Sequence, residues 1–118
     1  MSKSLLIISR QAPWSGPGAR EALDIVLAGG AFDLPVGLLF LDDGVFQLQA
    51  GQHASAVQQK DITANLKALP MFGIEELYAC GHSLEQRGVQ ADNPDVQSLA
   101  SGADIAALID RYDQVITI

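Results

Sequence analysis

Two short stretches of this chain bring potentially reactive side chains close together in sequence. The first is Cys80-Gly81-His82-Ser83. Residues Glu75 to Cys80 read as a strand, and Ser83 to Arg87 as a short helical turn closed by Gly88. A thiol at such a junction lies near the positive end of aligned peptide dipoles, which favours a thiolate. A protonated His82 would add to that effect. Persulfide and disulfide chemistry both need the thiolate. Cys80 is the chain's single cysteine, so a C-x-x-C dithiol and an internal disulfide framework are excluded. Chemistry at Cys80 would use it alone or with a thiol on another chain. The competing reading is a buried cysteine that serves packing.

The second stretch is Asp42-Asp43-Gly44-Val45-Phe46-Gln47-Leu48. Adjacent carboxylates at a strand end suit a magnesium ion, although no third acidic group is close in sequence. Val45, Phe46 and Leu48 directly follow a turn. Apolar side chains in that place either form a contact surface for another protein or cover the first helix. Asp43, Gly44, Val45, Phe46, Gln47 and Leu48 are therefore the candidate interface, beside Cys80 as the candidate reactive residue.

Other features are explained without chemistry. Gly16-Pro17-Gly18-Ala19-Arg20 opens a helix, and a glycine-rich helix start can cradle phosphate. Position 21 is Glu, however, and no Gly-Lys-Ser/Thr follows, so neither nucleotide-binding pattern is met. It reads as a turn with Arg20 exposed. His53, in the polar run Gly51 to Ser55, reads as a solvated loop residue. Ser9 and Ser83 show no nucleophile elbow and no evident base; Ser83 fits a helix cap. Trp14, in a Pro/Gly loop, either anchors an interface or folds back on the core. No motif calls for a metal or a cofactor, and the two histidines would need carboxylates to complete a zinc site.

The elements that must position these residues alternate along the chain. Leu5 to Ile8 is a continuous apolar run, as expected of a central parallel strand. A helix follows from about Ala19 to Ala31, with Leu23, Val26, Leu27 and Gly30 on one face and Gly29-Gly30 weakening its end. Pro35 to Leu41 is a second strand. A helix from about Asp61, its N-cap, to Leu69 is closed by Pro70 and Gly73. After the third strand come a brief fourth at Val96 to Leu99 and a helix started by Ser101-Gly102-Ala103-Asp104 in the manner of a capping box. Ile105, Leu108, Ile109 and Tyr112 line its buried face, and Gln114 to Ile118 forms a β-branched last strand. This alternation predicts a single α/β domain over residues 1–118, with a mostly parallel sheet and helices on both faces. Functional groups then belong at the carboxyl ends of the strands.

Composition narrows the function. The 118 residues include 7 Lys and Arg against 14 Asp and Glu, a net charge of -7. That balance excludes a direct grip on nucleic acid, which needs a basic footprint, and an anionic membrane surface. Hydrophobic residues are 48% and charged ones 18%, below the usual quarter or so. No apolar run approaches the roughly 20 residues of a membrane helix, and the N-terminus lacks the pattern of a signal peptide, so a cytoplasmic protein is expected. The apolar excess belongs in a sheet buried on both faces, in an obligate subunit interface, or in both.

Several of these segments together resemble one family. They are Gln11-Ala12-Pro13, Gly18-Ala19-Arg20-Glu21-Ala22-Leu23-Asp24, Cys80 with Ser83-Leu84 and Arg87-Gly88, and Tyr112-Asp113. The most specific is Asp43-Gly44-Val45-Phe46-Gln47-Leu48 with Gly51-Gln52. The chain resembles, end to end, the DsrE/DsrF-like sulfur-relay proteins, and among them the TusC/DsrF subunit type. The resemblance implies a three-layer α/β/α subunit with a five-stranded, mainly parallel sheet. It implies a heterohexamer with TusB-like and TusD-like subunits, taking persulfide sulfur from a TusA-like donor and handing it to a TusE-like acceptor. The sulfur then ends in 2-thiouridine at the tRNA wobble position, or, in sulfur-oxidising relatives, in dissimilatory sulfur metabolism. The family's carrier cysteine belongs to the TusD/DsrE-type subunit. Cys80 stands at about the corresponding place, so the resemblance leaves two roles for this chain: a partner subunit, or a thiol sulfurtransferase in its own right.

Overall fold

The computed structural model describes residues 3–49, 65–91 and 93–118. Five strands form its centre: β1 (Leu5–Ser9), β2 (Val36–Phe40), β3 (Glu76–Cys80), β4 (Val96–Leu99) and β5 (Gln114–Thr117). They lie in the order β4-β3-β2-β1-β5, and every neighbouring pair is parallel. β2 is central and all five of its residues are buried. β5 lies on an edge and all four of its residues are exposed.

Side chains alternate across a strand, so the unbroken apolar runs supply both faces at once. On one face Ile7, Leu38, Phe40, Leu77 and Ala79 meet Ala19, Ala22, Leu23 and Val26 of helix α1 (Gly18–Ala31). On the other, Leu6, Ile8, Leu39, Tyr78 and Leu99 meet Leu108 of helix α3 (Gly102–Asp110), flanked by Ile105, Ile109 and Tyr112. A short helix α2 (Gly81–Gln86) follows β3 directly. The expected three-layer α/β/α arrangement with five strands is the one found. No helix among the described residues is long and apolar enough to cross a membrane.

The helix ends follow local rules that differ in part from the sequence expectation. α1 runs through Gly29-Gly30, where the missing side chains let the sheet come close. A Cβ at Gly29 would stand 2.6 Å from Val36 Cγ2. The helix stops instead at Asp33, which takes a left-handed φ of 58°. Its N–H bonds Gly30 O and that of Leu34 bonds Gly29 O, both at 3.0 Å, the two reversed bonds of a Schellman stop. The expected start of the next helix at Asp61 lies outside the described residues, as does His53. Residues 65–68 are helical and tighten into a 3-10 turn, Leu69–Phe72. Pro70 lies inside this turn rather than closing it, because it has no N–H to give an α-helical bond. Gly73, at φ 83°, ends it. The expected cap on α3 is present, with Ser101 Oγ accepting from Asp104 N at 3.2 Å.

A polar cluster anchors the turn between α3 and β5. Tyr112 donates its hydroxyl to Glu76 Oε1 at 2.7 Å, Tyr78 reaches the same oxygen at 3.4 Å, and Arg111 pairs with it at 3.6 Å. Gly37 leaves the space, since a Cβ there would overlap the Tyr112 hydroxyl. Asp113 and Ser4 exchange backbone-to-side-chain bonds of 2.8 and 3.0 Å. Burial, then the hydrogen bond and charge of Glu76, push the Tyr112 phenol well above its ordinary value. A raised phenol pKa stabilises the fold fully below the ordinary value near 10 and loses that contribution as pH climbs past it. Tyr112→Phe is therefore expected to cost about 1 kcal/mol at neutral pH. Above about pH 10 the variant should lose stability less steeply than the parent, as read by urea unfolding across pH.

Candidate functional site

The carboxyl ends of β1, β2 and β3 come together, the place where groups converge in an open parallel sheet. Cys80 is the last residue of β3 and also the N-cap of α2, in extended conformation. Its Sγ accepts the backbone N–H of Ser83 at 3.4 Å, and the residue is 7% exposed. The capping atom is thus the cysteine sulfur. Ser83, expected as a cap, lies inside the helix and is buried. Its hydroxyl turns the other way and accepts the N–H of Asp42 at 3.0 Å. His82, the next residue but one after Cys80, is exposed.

Past β2 the chain does not continue as turn and loop. Asp42–Leu48 forms a 3-10 helix, entered through Asp42 at a left-handed φ of 51°. Such a backbone costs of order 1 kcal/mol or more outside glycine, and two contacts hold it here. Ser83 Oγ takes the Asp42 N–H, and Arg10 Nε donates to Asp42 Oδ2 at 2.8 Å. Asp43 is exposed and receives Arg87 Nε at 2.8 Å. The adjacent carboxylates therefore diverge to two different arginines instead of converging on one cation.

Gly44 lets this segment lie flat on the end of β1. A Cβ at Gly44 would stand 2.0 Å from Ser9 O, closer than any side chain tolerates. Val45 and Leu48 turn inward to join the core beneath the α1 face. Gln47, only 1% exposed, donates from Nε2 to Ser9 Oγ at 2.7 Å and to Gln11 O at 3.1 Å. It ties the segment to the loop after β1. Phe46 is half-buried, and its ring centre lies 5.1 Å from that of Trp14, tilted by 49°. Trp14 thus rests on Phe46 while keeping about half of its surface in solvent.

The two stretches singled out in the sequence therefore form one network, with Ser83 as the link. Of the candidate interface residues, Gly44, Val45, Gln47 and Leu48 are buried within the chain itself, and Asp43 and Phe46 reach the surface. Sequence reasoning missed the roles of Arg10, Arg87, Ser9 and Ser83. Gln47 did carry a signal, a polar residue set between apolar neighbours. Gly18 opens α1 as expected, and Arg20 pairs with Asp24 one turn on, at 3.7 Å. No group of three or more potential metal ligands occurs among the described residues.

A parallel five-stranded sheet covered on both faces, with a 3-10 segment and a capping cysteine at its carboxyl edge, defines the class. The model of the DsrE/DsrF-like family matches residues 3–118, and the chain belongs to that family. It is 60% identical to a protein TusC homolog of Pseudomonas aeruginosa, with both chains covered completely. It is 38% identical to the intracellular sulfur oxidation protein DsrF of Allochromatium vinosum, over 77% of this chain and 67% of the relative. The crystal structure of the ychN protein from E. coli has the same fold, with a TM-score of 0.68, full coverage of both chains and 17% identity.

Proposed function

We propose that this chain is a partner subunit of a cytoplasmic sulfur-relay complex that passes persulfide sulfur toward 2-thiouridine at the tRNA wobble position. It assembles with TusB-like and TusD-like subunits into a heterohexamer. The complex takes sulfur from a TusA-like donor and passes it to a TusE-like acceptor, and the carrier thiol is that of the TusD-like subunit. End-to-end kinship with a TusC homolog supports the assignment. The net charge of -7 suits a chain that meets tRNA only through other proteins.

The observation that carries the partner role is the state of the Cys80 sulfur. It is enclosed, and it is already used to cap α2. A carrier thiol must reach a sulfur atom on another chain, and this one is held inward. The segment after β2 offers partners Asp43 and Phe46, with Trp14 beside them, on a base fixed by Gln47 and Ser83. Co-expression with the TusB-like and TusD-like chains should give one complex of defined mass by gel filtration with light scattering. A monodisperse monomer that ignores both partners would contradict the proposal.

A second reading keeps Cys80 as a sulfur carrier. The amide donated to its Sγ would suit an anionic sulfur, and its place at the end of a central strand is where reactive groups gather. The thiolate would attack the outer sulfur of a donor persulfide, and the donor would leave as a thiolate. The kinship with DsrF supports sulfur oxidation as the alternative destination of the relay.

A further inference from the structure

Among the described residues, the three most exposed large apolar side chains lie at the opposite end of the sheet from Cys80. Phe32 is 80% exposed, Met71 87% and Phe72 62%, with Leu34 beside them. Phe32 and Leu34 precede β2, and Met71 and Phe72 precede β3, which is its parallel neighbour. The two loops are pressed together at Gly30, where a Cβ would stand 3.0 Å from Ile74 Cδ1 and 3.7 Å from the Phe72 carbonyl. Both are also fixed from within. Leu34 N bonds Gly29 O at 3.0 Å, and Ile74 N bonds Leu69 O at 3.1 Å. The apolar groups are thus held in place by rigid turns, which lowers the ordering cost of binding. The buried core of this fold makes no use of them.

The rim has a sign. Asp33, Glu75, Asp95 and Asp110 are exposed at this end and have no ion pair among the described residues. Among the described residues the basic groups here are Lys3, Lys67 and Arg111, the last matched by Glu76. At the Cys80 end, by contrast, Arg10 and Arg87 are each matched by a carboxylate. A second copy of this chain would bring the same unmatched carboxylates face to face, which disfavours self-association. A protein surface with an apolar area ringed by Lys and Arg is complementary to the patch.

We infer that the Phe32, Leu34, Met71 and Phe72 patch is a docking surface for a partner subunit that presents an apolar area with a basic rim. This rests on the reading of the chain as a subunit of a relay complex. It adds a surface remote from Cys80 and from the Asp43–Phe46 segment.

The test uses the complex formed by co-expression with the TusB-like and TusD-like chains. Phe32→Ser with Met71→Ser should lower recovered complex at least tenfold. Asp33→Lys with Glu75→Lys should weaken assembly too, and more at low salt than at high salt. Assembly of both variants at the parent's yield overturns the inference. So does an isolated chain that is dimeric as the parent and monomeric as Phe32→Ser with Met71→Ser, since the occupant is then a second copy. A clear fall in the melting temperature of the isolated double variant also overturns it, since the patch is then covered from within the chain. A parent chain that assembles with neither subunit overturns the relay-subunit reading, and this assignment with it.

Discussion

Gly44→Ala is expected to destabilise the chain by about 3 kcal/mol, an overpacking cost at the high end of the usual range. For a domain of this size that is a fall of roughly 10–15 °C in melting temperature. The reason is the neighbour. The added Cβ would stand 2.0 Å from Ser9 O and 2.8 Å from Ser9 C, and this backbone belongs to β1, which is hydrogen-bonded on both sides. It cannot rotate away as a side-chain tip can. The 3-10 segment must lift, and with it Val45 and Leu48 leave the core and Gln47 leaves Ser9. Gly102→Ala is the control. Its Cβ would enter open space in the first turn of α3, where Ala is the better helix former. Its stability should match or slightly exceed the parent's. Equal melting temperatures for Gly44→Ala and the parent would show that the segment does not lie on β1 as described.

Gln47→Leu carries the second large effect. The volume is nearly kept, so the cost is electrostatic: Ser9 Oγ loses its donor in a buried place, and Gln11 O loses one on an exposed residue. Leaving a buried polar group without a partner costs about 1–3 kcal/mol, so a loss of about 2 kcal/mol is expected, most of it from Ser9 Oγ. Ser9→Ala on its own should cost less. In the double variant the losses should fall short of their sum by at least about 0.5 kcal/mol, as for groups in one network. Denaturant unfolding of the four proteins measures this directly, and strict additivity would contradict the bridge. Both substitutions act on the surface that Asp43 and Phe46 present, so assembly should weaken with stability.

The sequence made the architecture readable because period-2 and period-3.6 patterns are written in long apolar runs. Leu5 to Ile8 and Pro35 to Leu41 read as strands apolar on both faces, and the expected strand Val96 to Leu99 is β4. Family-specific segments added the strand count and the likeness that the comparisons bear out. The segment Asp42–Leu48 was harder. Seven residues are too few for periodicity to tell a surface loop from an inward 3-10 turn. The deciding contact, Gly44 on Ser9 O, joins residues 35 apart in sequence. Serine is the commoner helix cap, so Ser83 reads as the cap on α2, and a thiol in that role leaves no compositional sign. The pairs Arg10–Asp42 and Arg87–Asp43 were equally hidden, since an ion pair between distant residues has no local pattern. By sequence the adjacent carboxylates suit a cation only weakly, and in the fold each is taken by its own arginine.

On the proposed function, the relay needs this chain as a partner and does not need its sulfur. Cys80→Ser isolates the second half. Serine is a stronger helix cap than cysteine, so its hydroxyl takes over the Ser83 N–H and the fold is retained. The direct measurement is the 2-thiouridine content of tRNA, by mass spectrometry, in cells lacking this chain and in the same cells supplied with the parent or with Cys80→Ser. Loss of thiolation without the chain and equal restoration by both forms are expected. Thiolation that returns with the parent but stays at the deletion level with Cys80→Ser would contradict the proposal and make Cys80 the carrier.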